Sequence, residues 1–197
     1  MDDMQEMLEH YRITKLINEY AHGCDRGDEL RMAGVYAEDS WDDHGMRKMP
    51  GQKYAHVVME GRAQIRDMIS HQLGQTLVKV DGDKAGAETY FVAALRRDDE
   101  PGDGPKLLTQ MGGRYVDELI REKGVWKIKK RLTIRDWSIT VPIEQDQIAN
   151  RQFIEGTADG TDPSFGVLGV KFSGLPVRPA KPQPYRGEAK GSGSGQR

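Results

Sequence analysis

"GGRYVDELIREKGVWKIKKRLTIRDW", residues 112–137, decides the fold. Two runs rich in β-branched and aromatic residues flank Lys123-Gly124, a pair suited to a tight hairpin turn. Strict alternation in the second run puts Trp126, Ile128, Leu132 and Ile134 on one face. Lys127, Lys129, Arg131 and Arg135 fall on the other, so Arg131 faces outward unless a bulge intervenes. Upstream, "TLVKV" (76–80) and "AGAETYFVAAL" (85–95) flank "DGDK" and form a second hairpin by the same signs. "DSWDDHG" (39–45) has the length of a short edge strand.

The N-terminal third reads as helix. From Asp3 to Cys24, apolar residues at 13, 16, 17, 20, 21 and 24 keep the three-four spacing of a buried stripe. "DRGDELRMAGVYA" (25–37) reads as a turn and a short second helix with Asp28 as N-cap. "GRAQIRDMISHQLG" (61–74) reads as a third helix with Ile65, Met68, Ile69 and Leu73 inward. Helices followed by an antiparallel meander define an α+β domain.

A chain of 197 residues suits one domain with an extension, and it can bury about 70% of its unfolded surface without a metal or disulfide. Its single cysteine, Cys24, excludes an internal disulfide. With 29 basic and 31 acidic residues, the net charge of −2 gives no general case for nucleic acid. The basic run 127–135 reads as the solvated face of a strand. No secretory h-region and no membrane-length apolar run are visible, so a cytoplasmic protein is expected. Beyond residue 140 the chain turns proline- and glycine-rich. The expected layout is a catalytic domain over 1–140, an extended arm or lid over 141–185, and a disordered tail over 186–197. Within the arm, residues 164–177 carry enough apolar groups to pack over the domain's own mouth or along a neighbouring subunit.

The chemistry is sought among the polar groups that adjoin apolar faces. His10 and His22 read as surface residues of the first helix, and His56 as a loop residue. His44 in "DDHG" lacks a partner histidine at a ligand spacing, so no metal site is expected. His71 and Asp25 both sit at helix ends beside faces that must converge on one core. A core or capping histidine would explain His71 alone. Beside a carboxylate, the ring is held in one tautomer and its other nitrogen becomes a general base.

These residues carry a resemblance. "EYAHGCDRGD" (19–28), "SHQLGQTLVKVDGDKAGAETYF" (70–91) and "GRYVDELIREKGVWKIKKRLTIRDW" (113–137) resemble the SnoaL-like family of the nuclear-transport-factor-like superfamily. Scytalone dehydratase, bile acid 7α-dehydratase and hexachlorocyclohexane dehydrochlorinase are among its members. The resemblance spans about residues 8 to 140. It implies a cone of three helices closed by a curved antiparallel sheet around a pocket. It pairs Asp25 with His71 as the catalytic dyad, and it adds Tyr20 and Arg131 as further catalytic positions. Tyr36, Trp41, Tyr54, Tyr90 and Tyr115 are expected as substrate-contacting walls, although Tyr90 and Phe91 cannot both face inward.

The implied activity is a cofactor-independent, metal-free elimination on a hydrophobic, hydroxylated aromatic or polycyclic molecule. A carbon–carbon lyase releasing formaldehyde, an isomerase using the same base, and a non-catalytic binding or scaffold protein are the alternatives. A homodimer or homotrimer is expected from the family, with no nucleic-acid or membrane partner.

Overall fold

The computed structural model describes residues 2–64, 68–97, 106–143, 154 and 156–174. Three helices come first or nearly so: α1 (Asp3–Arg26), α2 (Glu29–Gly34) and α3 (Gly51–Gln64). Between α2 and α3 run β1 (Tyr36–His44) and β2 (Arg47–Met49), and β3 (Met68–Asp81), β4 (Lys84–Arg97), β5 (Lys106–Glu122) and β6 (Val125–Ile143) follow. A one-and-a-half-turn helix, α4 (Pro163–Leu168), lies in the C-terminal segment.

The strands form one curved, open sheet in the order β2-β1-β6-β5-β4-β3. β3 to β6 are the expected antiparallel meander. At the β5–β6 turn, Lys123 (φ 50°) and Gly124 (φ 80°) both lie in the left-handed region, as a two-residue turn matched to strand twist requires. β1 departs from expectation. It is no edge strand: it runs parallel to β6 and is capped on its other side by β2, so the sheet is mixed.

The third helix also lies earlier than the periodicity suggests. Tyr54, Ala55 and Met59 form its buried stripe, and His56 is an exposed helix residue beside Glu29 rather than a loop residue. Residues 68–74 are strand, and Ile65 falls outside the described residues. That short apolar run fits either period, and unbroken register from Met68 opposite Arg96 to Leu73 opposite Phe91 decides for strand.

The helices cover one face of the sheet. The core holds Ile13, Ile17 and Tyr20 of α1, Met32 of α2, Tyr54 and Met59 of α3, and Phe91, Tyr115, Trp126 and Ile128 of the sheet. At the open end of α1, buried Glu9 accepts a hydrogen bond from Trp126 Nε1 at 2.6 Å and pairs with Arg121 (3.0 Å) and Arg12 (3.0 Å). This locks the first helix to the last hairpin.

The C-terminal segment folds back onto its own chain. Arg26 donates to the Thr157 carbonyl and to Asp162, Ser173 donates to Asp28, and Phe165 packs edge-on to His22. His22 is therefore half-buried beneath α4, not a surface group. Burial and the nearby Arg31 and Arg26 charges lower its proton affinity. Leu175–Val177 and the expected tail lie outside the described residues. Among the described residues, no helix is long and apolar enough to cross a membrane.

Candidate functional site

The end of α1 builds one side of the site. The helix runs through Asp25 to Arg26, slightly further than its apolar stripe indicates. Gly27 stops it in the left-handed conformation (φ 71°), which a Cβ would penalise. Asp25 therefore occupies the last turn, buried, on the face that meets the sheet.

Opposite it, alternation along β3 turns Ile69, His71 and Leu73 toward the helices and Ser70 and Gln72 toward solvent. His71 is thus a strand residue and not the end of a helix. Its Nδ1–H donates to Asp25 Oδ1 at 2.5 Å, and its backbone N–H donates to Asp25 Oδ2 at 2.8 Å. A carboxylate only accepts, so this pairing puts a proton on Nδ1 and leaves the lone pair of the neutral ring on Nε2. Two bonds from one residue to one carboxylate fix both the tautomer and the plane of the ring. Cys24 is adjacent: its sulfur, an Asp25 oxygen and a His71 nitrogen lie within 4.8 Å of one another, the one grouping of metal-ligand type among the described residues.

Arg131 reaches the interior through a bulge. Leu119 pairs with Ile128 and Glu118 with Lys130, so Lys129 is the extra residue in β6. The alternation reverses there. Trp126 and Ile128 face inward before the bulge, Arg131 faces inward after it, and Leu132 is exposed. The outward face expected from strict alternation is corrected by this one residue.

Asp117 lies directly across from Arg131 in the β5–β6 register. It accepts from Nε and Nη2 at 2.7 Å each, and both side chains are fully buried. The guanidinium lies 4.1 Å from the Tyr20 ring and 4.2 Å from the Tyr115 ring. The Asp117 carboxylate outweighs the cost of burial and holds Arg131 firmly protonated. Arg131 Nη1 is buried with no hydrogen-bond partner among the described residues.

A second histidine–carboxylate pair completes the interior, and sequence reasoning passed over it. Asp42 and His44 are two residues apart on β1 and so share a face. His44 Nδ1–H donates to Asp42 Oδ1, and the Tyr36 hydroxyl donates to Asp42 Oδ2 at 2.5 Å. The His44 ring stacks on Tyr54, with centroids 4.2 Å apart. Its Nε2 faces the Thr133 hydroxyl at 3.0 Å and the Tyr20 hydroxyl at 3.4 Å. Burial lowers its proton affinity despite Asp42, and the Arg131 charge adds to that. The readable signal was the i, i+2 spacing of Asp42 and His44, provided that the segment was a strand with a buried face.

Of the expected walls, Tyr36, Tyr54 and Tyr115 are buried and converge here with Phe91, which stacks on Tyr115 at 4.4 Å. Tyr20 is buried edge-on to both Tyr36 and Tyr115. Burial raises the hydroxyl pKa of Tyr20, Tyr36 and Tyr54, so all three remain donors. Trp41 (45% exposed) and Tyr90 (39% exposed) are corrections. Each alternates with an inward residue, Asp42 or Phe91, and points away from the interior.

The sequence profile of the SnoaL-like domain matches residues 5–132. No curated protein matches the chain. Similar solved structures include a candidate scytalone dehydratase from Novosphingobium aromaticivorans. It is 19% identical, with 72% of this chain and 91% of that one covered and a TM-score of 0.58. The type 3 hexachlorocyclohexane dehydrochlorinase of Novosphingobium barchaimii is 17% identical, over 74% and 97% of the two chains, with a TM-score of 0.61. A candidate aromatic ring hydroxylase from Novosphingobium aromaticivorans is 19% identical, over 74% and 98%, with a TM-score of 0.60. At these identities the likeness is one of fold: helices packed on a curved, unclosed sheet, as the resemblance implied.

Proposed function

The chain belongs to the SnoaL-like domain family, and from that premise we propose that it is a cofactor-independent lyase using His71 as its base. The observation that carries the reading is the pair of hydrogen bonds from His71 to Asp25, through the ring Nδ1–H and the backbone N–H. His71 Nε2 removes a proton from carbon, and Asp25 stabilises the imidazolium that forms. The Tyr20 hydroxyl donates to the leaving oxygen or a conjugated carbonyl. Arg131, already neutralised by Asp117, keeps the N–H groups of Nη1 for developing negative charge.

The interior of Tyr36, Tyr54, Phe91 and Tyr115 suits a flat, hydrophobic substrate bearing hydroxyl groups, with loss of water as the favoured outcome. The experiment is to incubate the protein with a panel of hydroxylated aromatic and polycyclic alcohols and weigh the products. Loss of one water supports the reading. Loss of formaldehyde transfers the same base to carbon–carbon cleavage, and an unchanged mass with altered chromatography makes the protein an isomerase. His71→Ala must abolish the conversion while the protein stays folded. Undiminished turnover in that variant ends the proposal.

A further inference from the structure

Beyond the Asp25–His71 pair, the interior holds a second group of polar side chains. On the β1–β6 side lie an imidazole whose Nδ1 is held by Asp42 and a guanidinium whose third nitrogen has no hydrogen-bond partner among the described residues. Asp42 is opposite Arg131 in the β1–β6 register, and Asp43 is opposite Leu132. His44 therefore continues along β1 beside Thr133, whose hydroxyl it meets at 3.0 Å. Tyr20 joins the two groups: its hydroxyl faces His44 Nε2, and its ring face lies 4.1 Å from the Arg131 guanidinium.

As a purely structural element, His44 would be satisfied by Asp42 and Thr133. That reading leaves Arg131 Nη1 as a buried, charged donor with no hydrogen-bond partner among the described residues, which is costly. A ligand oxygen there removes the cost. Asp117 takes Nε and Nη2, so Nη1 is the corner turned away from it. A carbonyl oxygen could accept from Nη1 but would set its lone pairs against that of His44. Of the two, only a hydroxyl group has the means both to accept from Nη1 and to donate to Nε2. Thr133 can yield its place by rotating about one bond.

We propose that His44 and Arg131 form a second subsite that binds an acidic hydroxyl of the substrate, a phenol or enol, and takes its proton. In the step, the substrate O–H bond breaks and the proton joins His44 Nε2. The imidazolium is balanced by Asp42, and the oxyanion is held by Arg131 Nη1. The charge that enters is neutral overall, because one phenol and one imidazole become one phenolate and one imidazolium. The subsite deepens the lyase reading, on which it rests: an oxyanion conjugated to the scissile carbon helps expel the leaving group, while His71 works at the other end. It narrows the substrate to molecules with an ionisable hydroxyl besides the group that leaves.

The test needs no turnover. Bind p-cyanophenol or β-naphthol to the full-length protein at neutral pH, where the free phenol keeps its proton, and record its absorbance. The bound probe is expected to show the phenolate spectrum. His44→Gln should bind it as neutral phenol and at least about tenfold more weakly, the loss of one charge-assisted hydrogen bond. His71→Gln should leave the phenolate spectrum intact, so failure of the His71 base and failure of this subsite are told apart. In case His44→Gln does not fold, the 15N shift of His44 Nε2 in the unaltered protein gives a second reading. It should move from the imidazole to the imidazolium range as probe is added. A bound probe that stays neutral, a phenolate spectrum that survives in His44→Gln, or no binding of either phenol overturns the proposal.

Discussion

The buried ionic clusters around Glu9 and around Tyr20, toward opposite ends of the first helix's buried face, are built differently. Around Glu9, every charge is matched: Trp126, Arg121 and Arg12 supply donors to one carboxylate, and two of the three reach solvent at their far ends. Around Tyr20, the groups are paired but not exhausted. Asp117 uses two of the three nitrogens of Arg131, and each histidine ring gives its Nδ1, not its Nε2, to a carboxylate. A saturated polar cluster fastens elements together. An unsaturated one leaves some of its donors and lone pairs without a charged partner.

The comparison can be broken by mutation on either side. The largest expected effect is on the unsaturated side: His71→Ala should cut turnover by about 10²–10⁴-fold, with a thermal midpoint close to that of the unaltered protein. A matching loss of stability would reclassify His71 as a fastening residue. Asp117→Ala comes next, because it strands a fully buried guanidinium. It should cost about 3–5 kcal/mol in urea unfolding.

Glu9→Gln tests the saturated cluster, with an expected loss of about 1–2 kcal/mol and unchanged turnover per folded molecule. Burial alone would raise the Glu9 carboxyl pKa, but Trp126, Arg121 and Arg12 together hold it below the usual carboxylate range. The folded state therefore binds the proton less readily than the unfolded chain. The contribution of Glu9 is complete above the ordinary carboxylate pKa and is lost as pH falls through the depressed one. The stability gap between the unaltered protein and Glu9→Gln should close on acidification, as thermal melts across that range would show. Trp41→Ala and Tyr90→Ala should do least, each within about 0.5 kcal/mol and without effect on turnover. A large loss of activity at either would return it to the site.

Much of the scaffold was legible in the sequence because its signals are local. The spacing of Ile13, Ile17, Tyr20 and Cys24, the Asp28 cap, and the two hairpin turns each depend on residues a few positions apart. Asp25 and His71 stand out as polar groups beside apolar faces, although the run 61–74 has helical spacing and the residues around His71 form a strand. What failed was parity. Whether Arg131 faces in or out depends on one unpaired residue, Lys129, and a bulge exists only relative to the partner strand. His44 was set aside for the same reason: β1 has a buried face only because it adds, parallel, to a strand more than eighty residues away.

The sequence by itself determined the class of the fold, the first two helices, the hairpins and the residue types able to do acid–base chemistry, because periodicity, turn chemistry and side-chain type are properties of neighbours along the chain. The tertiary structure alone decided which of those residues share an interior, which of their nitrogens are already engaged, and which remain. Those are properties of register and packing, set by the free energy of the whole sheet and its helices and by no segment separately.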